Sequence, residues 1–422
     1  AVSNLQSNTT IIMAAGTYNL SGPLYIPQGT TNIVIKGATG NRDDVIVQGS
    51  GMSGGAAFGF WVGNTQNITF QDFTIRNIWQ HGIILNAGAE SPVFRNLRIT
   101  DTGDQQIKAN PDGSGGGVDN GIVEDSIIEY STLAPDNYTN GVDVHTGANW
   151  IIRRNIFRNF RSSDGILTGP AILIWNSSRN TLTERNIFIN NARDIHYGLD
   201  ANRSNDHSGG IIRNNMIYRV SGTGGDVAIG LFNSPNTKVL NNTIKINGSY
   251  PNAIEYRFSS TSGVEIRNNL VDAAIVSREG GSATVANNVT NAASTLFVNA
   301  GSGDLHLVSG ASTVIDKATT HPDVTIDFDG QARPVGLAPD LGADEFTSSG
   351  TPTSTPSPSS GPAVCDLNKD NSTNILDLQY LANIILGISL NPGTADLNKD
   401  GQTNILDLQY LANVILGRSG CL

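Results

Sequence analysis

Residues 153–159 read RRNIFRN, 184–190 ERNIFIN, 212–218 IRNNMIY, 240–246 LNNTIKI and 266–271 IRNNLV. The same pattern recurs upstream as FQDFTI (70–75), FRNLRI (94–99) and VEDSII (123–128), and downstream as VANNVT (285–290). Each copy is a short apolar strand, a polar residue and a second alternating apolar run. Aligned on the polar residue, Asp72, Asn96, Asp125, Asn155, Asn186, Asn215, Asn242, Asn269 and Asn288 share one position, with spacings of 24, 29, 30, 31, 29, 27, 27 and 19. A fixed local pattern at variable spacing predicts coils whose strands are constant and whose loops vary. Such coils stack because none can bury its apolar side alone. The expected fold is an all-β parallel β-helix, a solenoid. At a tight bend Asn tolerates the left-handed conformation, and stacked amides can bond along the axis as a ladder. These residues are read as structural rather than catalytic.

Composition agrees. The chain has 422 residues, 47 of them Gly, with 15% charged residues and a net charge of −11. Gly and Asn suit short strands joined by tight turns. No apolar run reaches the roughly 18 residues of a membrane span. With no basic run and no basic–aromatic stripe, nucleic acid is not an expected partner. No signal peptide is visible, and the first residues read as the end of an amphipathic helix, which suggests processing or truncation. The two cysteines, Cys365 and Cys421, bracket the last segment. Their placement suggests a disulfide formed in an oxidising compartment, with two free thiols as the alternative.

Alternation along strands locates the outward residues. Pairs such as Ile83/Leu85, Ile107/Ala109, Val142/Val144, Ile172/Ile174, Ile195/Tyr197, Ile229/Leu231 and Ile254/Tyr256 read as inward. One outward column is then Ile84, Lys108, Asp143, Leu173, His196, Gly230 and Glu255. The next is Asn86, Asn110, His145, Trp175, Gly198, Phe232 and Arg257. Trp175 and Phe232 offer flat apolar surfaces for sugar rings. Arg257 and Lys108 suit a uronate carboxylate, and Asp143 with His145 or His196 can supply acid–base chemistry. Lys108, Asp143, His145 and His196 are therefore the candidate catalytic residues, and Trp175, Phe232, Glu255 and Arg257 the candidate substrate contacts. Taken singly, each is more simply a solvated surface side chain. A register slip of one residue would break the argument.

After Asn288 the pattern decays and ends at DLGADEF (340–346). The Thr/Ser/Pro-rich run that follows reads as an extended linker. Beyond it, DLNKDNSTNILDLQYLANIILG (366–387) and DLNKDGQTNILDLQYLANVILG (396–417) match at 19 of 22 positions. The expected division is a solenoid over 1–346, a linker over 347–364 and a duplicated loop–helix module over 365–422. In each helix Leu378, Leu381, Ala382 and Ile385, or Leu408, Leu411, Ala412 and Ile415, share one face.

The first 346 residues resemble the pectin-lyase-like right-handed parallel β-helix superfamily, on the coil repeat, the Asn ladder, AAGTYNL (14–20) and LGADEF (341–346). The Asn-Thr-Asp, Asp-Asp, Gly-His-Gly and Arg-Ile-Lys motifs of the pectin hydrolases of that fold are absent as a set. The last 58 residues resemble a type I dockerin, a small α-helical, EF-hand-like domain. That resemblance implies two Ca²⁺ ions, one held by Asp366, Asn368, Asp370, Asn374 and Asp377, the other by Asp396, Asn398, Asp400, Asn404 and Asp407. Asn371 departs from the usual turn Gly, and Thr373 and Thr403 from a usually aliphatic position. The resemblance also implies a cohesin partner, contacted by Ile375, Leu376, Ile405 and Leu406, although these four could instead be core. Dockerins anchor secreted enzymes to cohesin scaffolds, and such cargo usually degrades polysaccharides.

Two reactions fit the solenoid. In β-elimination Lys108 or a His is the base, and Arg257 or a third Ca²⁺ beside Asp143 stabilises the developing charge. In hydrolysis two carboxyl groups are needed. Asp143 and Glu255 are four coils apart, about 19 Å, whereas Asp143 and Asp194 are two coils apart, about 10 Å. That spacing mildly favours a polysaccharide lyase over a glycoside hydrolase. A non-catalytic, adhesin-like β-helix is the third reading.

Overall fold

A computed structural model describes residues 2–199, 201–347, 365, 367, 375–386, 395–399 and 401–415. It divides into two compact units, Ala1–Ser349 and Gly350–Leu422.

The first unit is built by three parallel sheets that share successive coils, with 11, 10 and 10 strands among the described residues. Each coil contributes one short strand to each sheet, so every ladder pairs a residue with its equivalent one coil away. The inward positions form like-on-like stacks. Phe70, Phe94, Val123 and Ile152 line the first sheet, and Ile99, Ile128, Phe157 and Phe188 the second. Phe70 stacks on Phe94 with ring centroids 5.8 Å apart, and Phe157 on Phe188 at 5.1 Å. All are buried in one continuous core. Branched aliphatic and aromatic residues suit this pleated surface because each packs against its neighbours above and below.

At the corner between the first and second sheets runs a buried amide ladder. Each Nδ2 donates to the next Oδ1 at 2.9–3.0 Å through Asn155, Asn186, Asn215, Asn242, Asn269 and Asn288. The same oxygen also accepts the backbone N–H of the preceding ladder residue, as Asn215 Oδ1 does from Asn186 at 3.0 Å. This refines the sequence alignment. The strand register places Glu124 opposite Arg153, so Ser126, not Asp125, stands in the ladder position below Asn155. Asp72, Asn96 and Asp125 belong one residue earlier. There they share the left-handed position, φ between 49° and 64°, with Arg154, Arg185, Asn214, Asn241, Asn268 and Asn287. Bend and ladder are thus two adjacent positions, which accounts for the repeated Asn-Asn pairs.

The outer member of each pair has its own task. Asn214 Nδ2 donates to Ile326 O at 2.7 Å, Asn241 to Asp340 O at 3.3 Å, Asn268 to Thr319 O at 2.8 Å and Asn287 to Lys317 O at 3.1 Å. The segment after the last coil is thereby strapped along the corner. Its apolar residues, Phe297, Leu305, Leu307, Leu341 and Ala343 among them, pack with Met216, Tyr218 and Leu270 in a second core.

In the second unit two helices, α1 (Ile375–Ile385) and α2 (Ile405–Ile415), pack around Leu381, Ile384 and Leu411, together with Cys365, Leu367, Ala395 and Leu397. The expected face positions Leu378 and Leu408 lie at its edge. Cys421 lies outside the described residues, so the Cys365–Cys421 bridge stays an expectation.

Replacing Asn186 with Ala would leave the buried Asn155 N–H and the Asn215 carbonyl oxygen short of a partner. The expected loss is about 1–3 kcal/mol, read as a lower midpoint in thermal or urea unfolding. Asn96→Ala, at the half-buried bend position, is expected to cost less.

Candidate functional site

The third sheet carries the candidate residues. Its strands Ile107–Ala109, Val142–His145, Ile172–Trp175, Ile195–Tyr197, Ile229–Phe232 and Asn252–Arg257 pair so that Lys108, Asp143, Leu173, His196, Gly230 and Glu255 form one column. His145 pairs with Trp175, and Phe232 with Arg257. The alternation argument therefore found the face, because Val142, Val144, Ile172 and Ile174 are fully buried on the inner side.

Within that face the residues separate into two groups, with the buried Leu173 between them. In the first, two donors and the His145 ring meet at Asp143. Lys108 Nζ bonds Oδ2, Trp175 Nε1–H donates to Oδ1 at 3.0 Å, and His145 Nε2 lies 3.5 Å from Oδ1. Lys108 Nζ also stands 2.8 Å from His145 Nε2. A lysine ammonium has no lone pair, so in this contact Nε2 accepts and the imidazole is neutral. The His145 and Trp175 rings are 4.5 Å apart. Burial by itself raises the Asp143 carboxyl, but His145 and Lys108 outweigh it and hold it below the usual carboxylate range.

One expectation fails here. These side chains point away from the core yet are not exposed: Asp143 is 3% accessible and Lys108 7%. Neighbouring side chains close over the column, and alternation reports direction, not cover. Asp143→Ala would strand a buried ammonium, so it destabilises rather than leaving stability unchanged.

In the second group His196 is 1% accessible, and neither ring nitrogen has a hydrogen-bond partner. Burial pushes its pKa down to about 3. Its ring meets the edge of Phe232 at 5.0 Å. Glu255 is buried and held by Asn252 Nδ2 at 2.7 Å, Tyr250 OH at 3.3 Å and Arg278 at 3.3 Å. Arg257 lies over the Phe232 ring at 4.9 Å and pairs with Glu279 at 2.7 Å. His196, Glu255 and Phe232, the last expected to offer a flat surface for a sugar, are thus enclosed rather than presented on the surface. Asp194, the second hydrolytic candidate, is fully buried in an ion pair with the equally buried Arg219 at 2.7 Å.

Asp143 is the only carboxylate in the first group, and both its oxygens are engaged. A Ca²⁺ ion takes six to eight oxygen ligands, so these residues do not fit a groove calcium. Sequence reading passed over His81, buried near Lys108 and Asp143 with Nδ1 3.2 Å from Gln105 O. Burial lowers its pKa to about 4.

In the second loop Asp407 is buried. Its Oδ1 accepts the N–H groups of Leu397 at 2.8 Å and Asn398 at 3.1 Å, and its Oδ2 that of Asn404 at 2.9 Å. Asp396 Oδ2 accepts the Gly401 N–H at 2.9 Å. Asp377 repeats the first contact, accepting Leu367 N–H at 2.8 Å. Asp366, Asn368, Asp370, Asn374 and Asp400, and the side chains of Ile375 and Leu376, lie outside the described residues. Ile405 and Leu406 are 65% and 51% exposed, so neither is a core residue.

The chain is a right-handed β-helix protein with a dockerin. Residues 26–187 match the model of the right handed beta helix region, and residues 364–416 that of the dockerin type I domain. No curated protein sequence matches the chain. Among solved structures it is similar to the pectate lyase Pel9A, with 18% identity over 82% of this chain and 90% of that one and a TM-score of 0.54. It is also similar to an alginate lyase from Paenibacillus sp. str. FPU-7 (11% identity, 60% and 92% covered, TM-score 0.40) and to PfbA, a surface adhesin of Streptococcus pneumoniae (14%, 67% and 83%, 0.46). At 18% identity the likeness to Pel9A speaks for the fold alone. No helix among the described residues is long and apolar enough to cross a membrane.

Burial also holds His207 neutral, with its pKa near 3. A histidine with a folded pKa far below its unfolded value of about 6.5 takes up its proton only on unfolding. Its contribution to stability is present above that pH and is lost as pH falls from about 6.5 toward 3. His196→Leu is expected to flatten the slope of unfolding free energy against pH by about one proton in this window, measured by urea unfolding across pH.

Proposed function

We propose that the solenoid is a polysaccharide lyase acting on a uronate-containing polymer, with His145 as base and Lys108 as the cation that holds the uronate carboxylate. The observation that carries this reading is the contact of Lys108 Nζ with both Asp143 and the Nε2 of His145. It puts a fixed positive charge beside a neutral imidazole. In elimination Lys108 Nζ turns from His145 Nε2 to the uronate carboxylate, the freed Nε2 lone pair takes the proton next to that carboxylate, and the glycosidic oxygen leaves with its electron pair as the double bond forms. Lys108 stabilises the charge that builds on the carboxylate. Asp143 orients Lys108 and Trp175, and Trp175 provides an apolar face for a sugar ring. Arg257, farther along the face, suits a more distant sugar of the same chain. Hydrolysis is disfavoured because neither expected partner of Asp143 is available: Asp194 is committed to Arg219, and Glu255 stands four coils away.

Incubating the full chain with a panel of polysaccharides is expected to yield ultraviolet-absorbing unsaturated ends from a uronate polymer. His145→Ala is expected to lower kcat by about 100-fold or more while the protein still folds. New reducing ends without absorbance would mean a hydrolase, and neither product a binding protein.

The second unit, in this reading, binds a cohesin and places the enzyme in an extracellular scaffold. Asp396, Asn398, Asn404 and Asp407 would hold one Ca²⁺, since two carboxylates and two amides in one loop form a hard oxygen donor set. The duplicated loop would hold the other. The exposed Ile405 and Leu406 and their equivalents Ile375 and Leu376 form the contact. Because the halves are nearly identical, mutating one Ile-Leu pair is expected to leave cohesin binding largely intact, and mutating both to abolish it. Calcium chelation is expected to abolish binding while the melting transition of the solenoid persists. Calorimetry and a cohesin pull-down read both effects, and loss of binding from one pair alone would contradict the two-sided contact.

A further inference from the structure

The outward column does not end at Ile84. Toward the N-terminal end of the solenoid Ile84 pairs with Trp61, and Trp61 with Tyr25. Lys108 stands one coil beyond Ile84 on the other side. Trp61 is thus two coil steps from Lys108 and Tyr25 three, about 10 and 14 Å at the spacing of parallel strands. All four side chains project from the same face, because Phe60 and Val62 beside Trp61 are buried in the core.

The two rings are built as a surface. Tyr25 is 56% exposed, and the ring centroids lie 5.8 Å apart with planes inclined at 47°. With Ser3, Ile26, Pro27 and Gln28 they line an open concavity of about 490 Å³. Gly63 is needed for this arrangement, since a Cβ there would stand 2.6 Å from the Trp61 ring. Ile84 forms an apolar floor between the rings and the Lys108 cluster.

We propose that Tyr25 and Trp61 are a remote sugar-stacking subsite that binds the same uronate polysaccharide, laid lengthwise along the solenoid axis. The proposal rests on the reading of the Lys108–Asp143–His145 group as the reacting site. A polymer bound at that group continues past it in both directions. Toward the N-terminal end it meets no charge in the column, only Ile84 and then two aromatic faces. Aromatic faces stack on the C–H faces of pyranose rings and are indifferent to the uronate carboxylate. One ring per coil suits a chain that advances about one sugar per coil. The expected ligand is therefore a long oligouronide, bound over several sugars, rather than a monomer or dimer.

The test is a chain-length series of oligouronides on the full calcium-loaded chain, comparing wild type, Tyr25→Ala and Tyr25→Ala/Trp61→Ala by steady-state kinetics and calorimetric binding. For oligomers that span from Lys108 to Tyr25, the double variant is expected to raise KM and Kd about tenfold, from two lost stacking contacts, with kcat unchanged. Dimers, which end at Ile84, are expected to behave as in wild type. Tyr25→Ala alone, at a largely exposed residue, should give part of the effect with an unchanged melting midpoint and so serves if the double variant misfolds. Equal losses for short and long oligomers, or no loss at any length, would overturn the subsite while leaving the reacting site standing. A wild type that neither binds nor cleaves any oligouronide would overturn the functional reading, and the subsite with it.

Discussion

The amide ladder from Asn155 to Asn288 holds the register on which the rest of the solenoid depends. From Asn186 onward each ladder oxygen accepts two N–H groups, one from an amide and one from a backbone, at the corner between two sheets. Such groups are costly to leave unpaired, so sliding one coil by a residue would break several bonds at once and turn its side chains to the wrong face. The consequence reaches the third sheet. Lys108, Asp143, His145 and Trp175 meet only because three coils agree in phase. The outer Asn of each pair extends the same corner to the strap from Lys317 to Asp340, so one dipeptide organises both the coil and its cover.

How far the sequence could be read followed from the length scale of each feature. Alternation is a local property, and it placed Asp143 and His145 outward because Val142 and Val144 must face the core. The αL bend and the ladder amide are adjacent, and both favour Asn. Where Asp72, Asn96 and Asp125 replace the pair, the alignment took the bend residue for the ladder residue, and only the strand pairing separates them. Burial was the least legible. Outward direction suggested exposed groups, whereas Asp143, His196 and Glu255 are covered by residues from other coils, a cover that no single strand encodes. Tyr25 and Trp61 escaped the sequence reading because they precede the first coil used to define the column.

The two units divide the work by size. The solenoid gains its stability from repetition, each coil adding buried stacks to a continuous core. The small second unit has a core of a few residues around Leu381 and Leu411 and gathers carboxylates against backbone N–H groups in its loop. A core that small gains much from metal or covalent help, in keeping with the calcium proposed for its loops.

In the proposed function the covered Lys108–Asp143–His145–Trp175 group is where a uronate chain binds. A crystal structure of the chain with a bound long oligouronide tests it most directly. Sugar density is expected along the third sheet, with a carboxylate at Lys108 Nζ, a ring against Trp175 and further sugars toward Trp61 and Tyr25. An oligouronide ordered on either of the other two sheets, with this column bare, would contradict it.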